Sequence, residues 1–282
     1  MTEGSDSTAV LVAPRVQESL RAELARLEEM AGEVREAHVD ALHQFRVSAR
    51  RARAVIRASR PVFSDYYAEL DSELRWLGAE TGPARDLEVL QANLDLVVED
   101  LDEDAGGGQA ILDAVKADQA QARARVLEAL ASERFAQLVR VFQAATRTPA
   151  PGVGHESPES IASDQVDRLW KARRRLGDDP TDDALHAIRI KVKRARYSVD
   201  VLIGRDSDDA RTLVKALRNL QNLIGSHQDA HVAELRIRGY SIPGAELAAG
   251  RIIERERAIR LRVRQRLPAA WRQLARATGT GS

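Results

Sequence analysis

The sequence predicts an all-α fold built from two copies of one helical unit. Apolar residues recur at three- and four-residue spacing in long runs rich in Ala, Leu, Arg and Glu, as on the buried face of a helix. No run alternates β-branched and polar residues in the manner of a strand. A second copy of the same motifs occurs later in the chain. These three observations indicate helices throughout and a duplicated unit.

Composition narrows the class of protein. The chain has 282 residues, of which 44% are hydrophobic and 30% charged, which is enough apolar surface for a core and excludes wholesale disorder. It has no cysteine, so disulfide scaffolds, thiolate zinc sites and catalytic thiols are excluded. The apolar stretch 8–13 is too short to cross a membrane and lacks the basic start of a signal peptide. We therefore expect a soluble, cytoplasmic protein.

Proline and glycine divide the chain into helical segments. Over 148–158 the chain holds three prolines and two glycines without apolar periodicity, which is typical of a linker. The sequence therefore predicts a first bundle over 10–147 and a second over 159–276, each of a suitable size for a small helical bundle. Further helix ends or turns are predicted at Pro61, Thr81-Gly82-Pro83, 105–108 and 239–244.

A shift of 143 residues relates the two copies. Asp40–Arg53 aligns with Asp183–Arg196, with eight of fourteen positions identical, including a histidine on a histidine. The same shift aligns 74–89 with 217–232 without a gap, including a glycine and an aspartate four residues apart. Similar composition of two Arg-rich helices explains matching arginines but not the matching His, Gly and Asp. The sequence therefore predicts a duplication.

Charges balance overall but are segregated along the chain. Lys and Arg total 43, as do Asp and Glu. Six arginines and no acid lie within 41–60, and five basic residues and no acid within 184–199. Nine arginines with two acids lie within 251–276, whereas 95–104 has six acids in ten residues. A neutral chain that sorts its charges in this way can still present a strong local positive field.

Each copy carries one basic face of a helix. Residues three or four apart on a helix share one side. The first basic face is His43, Arg46, Arg50, Arg53, Arg57 and Arg60, and the second basic face is His186, Arg189, Lys193 and Arg196. Like charges at this spacing destabilise a helix, and the planar fork of arginine suits phosphate oxygens. The faces are therefore predicted to bind a phosphate-bearing anion; the alternatives are a solvated surface or pairing with neighbouring acids, such as those in 95–104.

The ends of these blocks have predicted local roles. Asp40 and Asp183 are predicted N-caps, and His43 and His186 one turn later are expected either to contact phosphate or to order the helix start. Lys215 and the pair Arg75 and Arg218, on the helices that follow, are expected to extend the basic surface.

A second motif shared by the two copies, a glycine and an aspartate four residues apart, is predicted to have a structural role. Gly82 and Gly225 are predicted left-handed C-caps, each followed by an aspartate, Asp86 or Asp229, in the first turn of the next helix, where it caps amides or holds an arginine. His227 and His231 have the helical spacing of two metal ligands. The first copy has Ala84 and Glu88 at those positions and no third ligand is evident. No metal site is predicted.

The motif His43-x-x-Arg46-Val47-x-x-Arg50-Arg51-x-Arg53, with Leu77-Gly78-x3-Gly82-Pro83-Ala84-Arg85-Asp86 after it, resembles the CHAD family, the conserved histidine α-helical domain. The resemblance spans about residues 10–275. It implies two tandem four-helix-bundle-like repeats related by a pseudo-twofold, with basic faces lining a central cavity or pore that binds inorganic polyphosphate. No Glu-x-Glu-x-Lys strand signature of a CYTH triphosphatase domain occurs, so the stand-alone form is expected. The second copy departs from the first at Ser226-His227-Gln228, where the first has Pro83-Ala84-Arg85.

The resemblance also implies which residues bind polyphosphate. It places the family's histidine and basic positions on both copies. It also implies that the protein associates with polyphosphate granules in the cytoplasm. With the two basic faces and their extensions, the predicted polyphosphate-binding residues are His43, Arg46, Arg50, Arg51, Arg53, Arg57, Arg75, His186, Arg189, Lys193, Arg194, Arg196, Lys215 and Arg218.

Three functions are compared at this point. Polyphosphate binding without catalysis, cofactor or metal is the expected one. Binding of a nucleic-acid backbone is an alternative, although aromatic residues are only 4% of the chain and offer few stacking platforms. A metal-dependent phosphohydrolase is a further alternative, but it would need clustered carboxylates or a positioned base, and the basic blocks contain no acid.

Overall fold

The computed structural model describes residues 3–147, 157–177, 179–204 and 207–280. In these residues the chain forms nine α-helices, and none of them is in a β-strand, so the all-α prediction is confirmed. A 3-10 segment, Val98–Asp104, precedes α4, and a π-helical segment, Val199–Ile203, follows α7. The helices are α1 (Glu3–Arg35), α2 (Ala41–Phe63), α3 (Ala68–Val97), α4 (Ala105–Ala131), α5 (Glu133–Arg147), α6 (Pro158–Arg174), α7 (Asp182–Ser198), α8 (Asp208–Gly239) and α9 (Glu246–Ala277).

The order of helices is the same in both halves of the chain. A shift of 143 residues brings the starts of α2, α3 and α4 to within three residues of the starts of α7, α8 and α9. This order agrees with the predicted duplication, while the pseudo-twofold relation stays a prediction. Most of the predicted linker, 148–156, lies outside the described residues. Its last two residues begin α6, because Ser157 caps the helix through the amide of Ser160 and Pro158 is its first residue.

Two hydrophobic cores hold the helices together. The second core is formed by α6–α9 and includes Trp271, whose ring centroid lies 5.7 Å from that of Trp170. The first core is formed mainly by α1–α5, but it also takes buried residues from the second half, including Leu202, Ile237 and Ile252. Helix α9 packs on α4 as well as on α8. The two predicted bundles therefore share apolar packing across their boundary, and the boundary itself stays a prediction.

Two of the predicted helix ends are wrong. Helix α2 continues through Pro61 to Phe63. Helix α3 runs without interruption through Thr81-Gly82-Pro83, and α8 likewise continues through Gly225. Neither Gly82 nor Gly225 has a positive φ, so they are not left-handed C-caps, and Asp86 and Asp229 are not in first turns. Both glycines instead lie inside a helix beside an arginine side chain, as described below.

The break predicted at 105–108 occurs earlier in the chain. The irregular backbone is in the 3-10 segment, where Asp102 has a φ of 50°, and α4 begins at Ala105. Gly107 and Gly108 serve packing instead, because a Cβ at Gly108 would lie 2.6 Å from Leu101 Cδ1 and one at Gly107 would lie 3.0 Å from Ala245 Cα. The predicted break over 239–244 does separate α8 from α9.

The predicted N-caps are also corrected. Asp40 occupies the cap position of α2, but with a φ of 60° and no side-chain hydrogen bond. Asp183 lies inside the first turn of α7, and the cap is Thr181, whose hydroxyl accepts from the amide of Ala184 at 3.2 Å. Among the helices in the described part of the chain, none has the length and hydropathy required to span a membrane.

Candidate anion-binding site

Helices α2 and α7 pack directly against each other, and this contact brings the two basic faces together. The charge of Arg50 on α2 acts on both Arg189 and Lys193 of α7, lowering the pKa of each. One residue further along α2, Arg51 acts in the same way on the pKa of Arg196. We call Arg46, Arg50, Arg189 and Lys193 the cationic centre. It contains two residues from each half of the chain.

Lys193 has the most perturbed side chain of this centre. Burial lowers its pKa to about 7, and the neighbouring charges of Arg189 and Arg50 add to the shift, while Asp229 opposes it. Desolvation and like charge both disfavour an ammonium group. Among the described residues, no hydrogen bond or ion pair holds Lys193 or Arg50. An anion between them would relieve both effects.

Arg46 is held at the centre by the backbone of α3. Its Nη1 donates to the carbonyl oxygen of Gly78 and to the hydroxyl of Thr81, both at 3.0 Å. These groups lie in the turn before Pro83, which has no N–H for the helical ladder. Gly82 lies beside this contact, since a Cβ there would lie 3.4 Å from Arg46 Nη1, in van der Waals contact with it.

Arg189 repeats this arrangement in the second half. A Cβ at Gly225 would lie 3.8 Å from its Nε and Nη2, so both glycines in the shared motif face the matching arginine. The Nε of Arg189 is buried without a hydrogen-bond partner in the described residues. Burial lowers the pKa of Arg189 and of Arg46. The charge of Asp229 raises the pKa of Arg189, and the charge of Asp86 raises the pKa of Arg46.

Asp86 and Asp229 are therefore the carboxylates of the site. Each acts through its charge on the arginine of its own half. The expectation that they hold an arginine by direct contact stays a prediction, and the expectation that they cap amides is corrected, because both lie inside continuous helices. The charge of Asp86 also acts on Asp229, whose pKa is raised chiefly by burial and lowered by Arg189. Asp229 remains exposed to solvent. Two carboxylates here face at least four cations.

The two histidines lie at the start of α2 and α7, beside the centre. His186 Nδ1 is 3.1 Å from Gln228 Oε1. At the matching place in the first half, burial and then the charges of Arg85 and Arg50 lower the pKa of His43. His43 therefore lies within the positive field of the site, and a neutral imidazole there can donate or accept one hydrogen bond.

Two carboxylates counter part of the charge in the outer part of the first basic face. Asp71 on α3 receives hydrogen bonds from Arg53 at 3.0 Å and Arg57 at 3.3 Å, and Arg75 lies 3.5 Å from its other oxygen. Arg60 pairs with Asp65 at 2.6 Å. The alternative in which arginines pair with neighbouring acids therefore applies to this part of the face, although the acids come from 65–71 and not from 95–104.

The outer part of the second basic face has different partners. Arg196 is 8% exposed; its Nε donates to Gln221 Oε1 at 2.8 Å, and its guanidinium lies 3.9 Å from the ring centroid of Tyr197. Arg194, Lys215 and Arg218 are exposed and form no hydrogen bond or ion pair within the part of the chain that the structure describes. The second face thus offers cations beyond the centre.

Acids of 95–104 and of α7 bind α9 instead. Asp104 and Asp100 pair with Arg251 and Arg255 of α9 at 2.9 and 3.0 Å. At the start of α7, Asp182 contacts Arg264 and Arg260, both at 2.6 Å.

Two histidines join the network around Asp182. His231 Nδ1 lies 3.1 Å and His227 Nε2 3.4 Å from its carboxylate oxygens. Burial and the charge of Arg264 lower the pKa of His227 to about 4. No group of three or more potential metal-ligating side chains is arranged for a metal among the described residues.

Sequence reasoning missed Asp71 and the network of Asp182. Both depend on which helices are neighbours, which spacing along one helix does not reveal. One signal was available for Asp71: the aligned position of the second copy is Val214, so the duplication is broken there.

In the described residues, the basic helices α2 and α7 pack against each other and bring the residues of the cationic centre together. The family model described as CHAD domain matches residues 18–238. The chain therefore belongs to the CHAD domain family, as the sequence motifs predicted.

Solved structures share this fold. The CHAD domain from the plant Ricinus communis has a TM-score of 0.72 and 23% identity, covering 96% of this chain and 92% of that one. PptA from Streptomyces chartreusis has a TM-score of 0.73 and 19% identity, covering 92% of this chain and 99% of that one. At these identities the likeness concerns the fold alone.

Two curated proteins of Mycobacterium tuberculosis are similar in sequence. They bear the names "Uncharacterized protein MT2285" (strain CDC 1551 / Oshkosh) and "Uncharacterized protein Rv2226" (strain ATCC 25618 / H37Rv). Each is 29% identical over 256 residues, which cover 84% of this chain and 48% of the relative. The chain thus spans about half the length of these relatives.

Proposed function

We propose that the chain binds inorganic polyphosphate at the cationic centre, in a cleft between α2 and α7. The observation that carries this proposal is the cationic centre itself, in which Arg50 of one half acts on Arg189 and Lys193 of the other. Bringing like charges together without a counter-ion costs free energy. Binding of a polyanion offsets this repulsion, and the planar guanidinium group of arginine can donate two hydrogen bonds to its phosphate oxygens.

The extent of the surface favours a chain of phosphates over a single one. Unpaired cations continue from the centre to Arg194, Arg218 and Lys215, all of them exposed. A flexible polyanion can contact several of these at once and release a condensed counterion at each contact. Affinity is therefore expected to rise with chain length and to fall steeply with added salt.

A nucleic-acid backbone is the second candidate, since it carries the same charge. Tyr197, an aromatic residue on the same helix as Arg189 and Lys193, is 8% exposed and lies against Arg196. A buried ring cannot stack on a base, and stacking contributes much of the affinity for single strands. The site therefore favours a bare phosphate chain.

We further propose that the site binds polyphosphate without cleaving it. The carboxylates nearest the centre, Asp86 and Asp229, act on Arg46 and Arg189. Anhydride hydrolysis requires a positioned metal or base next to an attacking water. Phosphate release in the presence of Mg²⁺ or Mn²⁺ is expected to stay at background, and steady turnover would contradict the proposal.

The test is a binding measurement with charge-reversed variants. Wild-type protein is titrated with long-chain polyphosphate, single-stranded DNA and RNA at equal phosphate concentration and at several salt concentrations. We expect preference for polyphosphate and loss of binding in Arg50→Glu and Lys193→Glu. Asp113→Lys is the control, because this exposed residue of α4 is hydrogen-bonded by Gln109 and lies outside the cleft. Circular dichroism checks that each variant stays helical.

Two results would contradict the proposal. Equal affinity for all three polymers would favour the nucleic-acid function. Undiminished binding in both reversed variants, with helical content retained, would place the binding surface elsewhere.

A further inference from the structure

Asp71 is unusual among the carboxylates near the site because three arginines of the predicted binding surface converge on it. Arg53 and Arg57 donate to it at 3.0 and 3.3 Å, and Arg75 lies at 3.5 Å. Only 16% of the Asp71 side chain is exposed. Burial opposes its ionisation, but the hydrogen bonds and charges of Arg53 and Arg57 outweigh burial and keep its pKa below the ordinary value. The carboxylate is thus a permanent anion.

The matching region of the second half has no such carboxylate. Val214, which is 3% exposed, occupies the position that aligns with Asp71. Arg218 aligns with Arg75 and is exposed without a partner in the described residues. An acid does occur in the π-helical segment that follows α7, because Asp200 aligns with Arg57, and its charge acts on Arg196. The exposed cations on α8, Arg218 and Lys215, are left available.

We propose that Asp71 acts as a built-in counter-ion that weakens the outer first basic face as a part of the binding surface, so that a polyanion leaves the cationic centre preferentially along α7 and α8. This inference rests on the proposed function. A phosphate group approaching Arg53 or Arg57 must share these guanidinium groups with a carboxylate that already occupies the Nε donor of each. A phosphate approaching Arg218 displaces only water and counterions. The outer first basic face and the exposed cations of α8 therefore differ in their affinity for polyphosphate, although Arg75 and Arg218 align in sequence.

The equivalent arginines provide a matched test. Arg75→Gln and Arg218→Gln remove the same charge from the same position in the two halves, both on exposed sites. We expect Arg218→Gln to weaken polyphosphate binding on the order of threefold or more and to reduce the salt slope by about 0.7, the value for one contact with a flexible strand. We expect Arg75→Gln to change affinity by less than about twofold.

Removing the counter-ion should restore the outer face. Asp71→Asn frees up to three guanidinium groups, so we expect tighter polyphosphate binding and a steeper salt dependence. Asp113→Asn is the control for net charge, since that carboxylate accepts from Gln109 and holds no arginine. In the double variant Asp71→Asn/Arg75→Gln, part of the gain should disappear.

The outcomes separate the inference from the proposed function. Equal losses in Arg75→Gln and Arg218→Gln, or unchanged affinity in a folded Asp71→Asn variant, would overturn the inference while polyphosphate binding stands. The comparison of the two arginine variants decides the matter even if Asp71→Asn does not fold. Absence of polyphosphate binding by the wild-type protein would instead overturn the proposed function.

Discussion

At the scale of single residues, the properties of the site are set by crowding of like charge. Lys193 is flanked by Arg189 and Arg196 on its own helix, by Arg50 on α2 and by Asp229 on α8. The three cations and burial together outweigh the single acid, and its pKa falls to about 7. The residue thus changes its charge near neutral pH, unlike the arginines around it.

This titration predicts a pH-dependent affinity. Lys193 is cationic below pH 7 and neutral above it, so polyphosphate affinity should decline as pH rises from 6.5 to 9. The pKa of His43 lies below its usual value, so this histidine contributes little to the change over that range. Lys193→Arg keeps its charge and should give a nearly flat profile in the same titration. An equal decline in wild type and Lys193→Arg would contradict the assignment.

The identity of these residues was predictable, but their states were not. The spacing of His43, Arg46 and Arg50 is a property of one helix, and it is visible in the sequence. Whether an arginine is free or bound to a carboxylate depends on the neighbouring helix. Arg50 and Arg53 differ in this respect only because Asp71 of α3 reaches one and not the other.

At the scale of elements, the helices follow the periodicity of apolar residues, whereas two predicted turns do not exist. Gly82 and Pro83 are ordinary signals of a turn, yet α3 continues through both. In the structure this glycine lies beside Arg46, which hydrogen-bonds to Gly78 and Thr81. A glycine followed by a proline therefore does not by itself end a helix.

Helix α9 is attached to the second basic helix through charge. Arg260 contacts Asp182 of α7 at 2.6 Å and also pairs with Glu234 of α8, whose side chain is 8% exposed. This places a largely buried guanidinium between two acids on different helices. The start of α7, one turn before His186, is thereby tied to α8 and α9.

Removal of that guanidinium should be costly. Arg260→Met removes this counter-charge, although Glu234 keeps Arg238 and Arg257 and Asp182 keeps Arg264. We therefore expect the free energy of unfolding to fall by about 2 kcal/mol, the scale of a hydrogen bond to a charged group. Arg255→Met is the control, because its partner Asp100 is 66% exposed and such surface pairs contribute only about 0–1 kcal/mol. Urea denaturation followed by circular dichroism measures both. Similar losses of unfolding free energy in the two variants would contradict this expectation, because Arg260 would then contribute no more than a surface ion pair.

At the scale of the whole molecule, the predicted duplication accounts for the site and also for its asymmetry. Each half supplies one basic helix, one glycine beside an arginine and one aspartate whose charge acts on that arginine, and α2 packs against α7. The all-α class and the pairing of motifs were predictable because they depend on periodicity and repetition. The shared first core and the contacts of Asp71 were not, because they arise where the sequences of the two halves differ.

The most direct test of this account is a crystal of the protein soaked with a phosphate oligomer. We predict phosphate groups between α2 and α7, with oxygens within hydrogen-bonding distance of Arg50 and Lys193, and the oligomer continuing toward Arg218. Phosphate bound only at arginines on the exterior of α9, such as Arg262 and Arg266, with an empty cleft between α2 and α7, would contradict it.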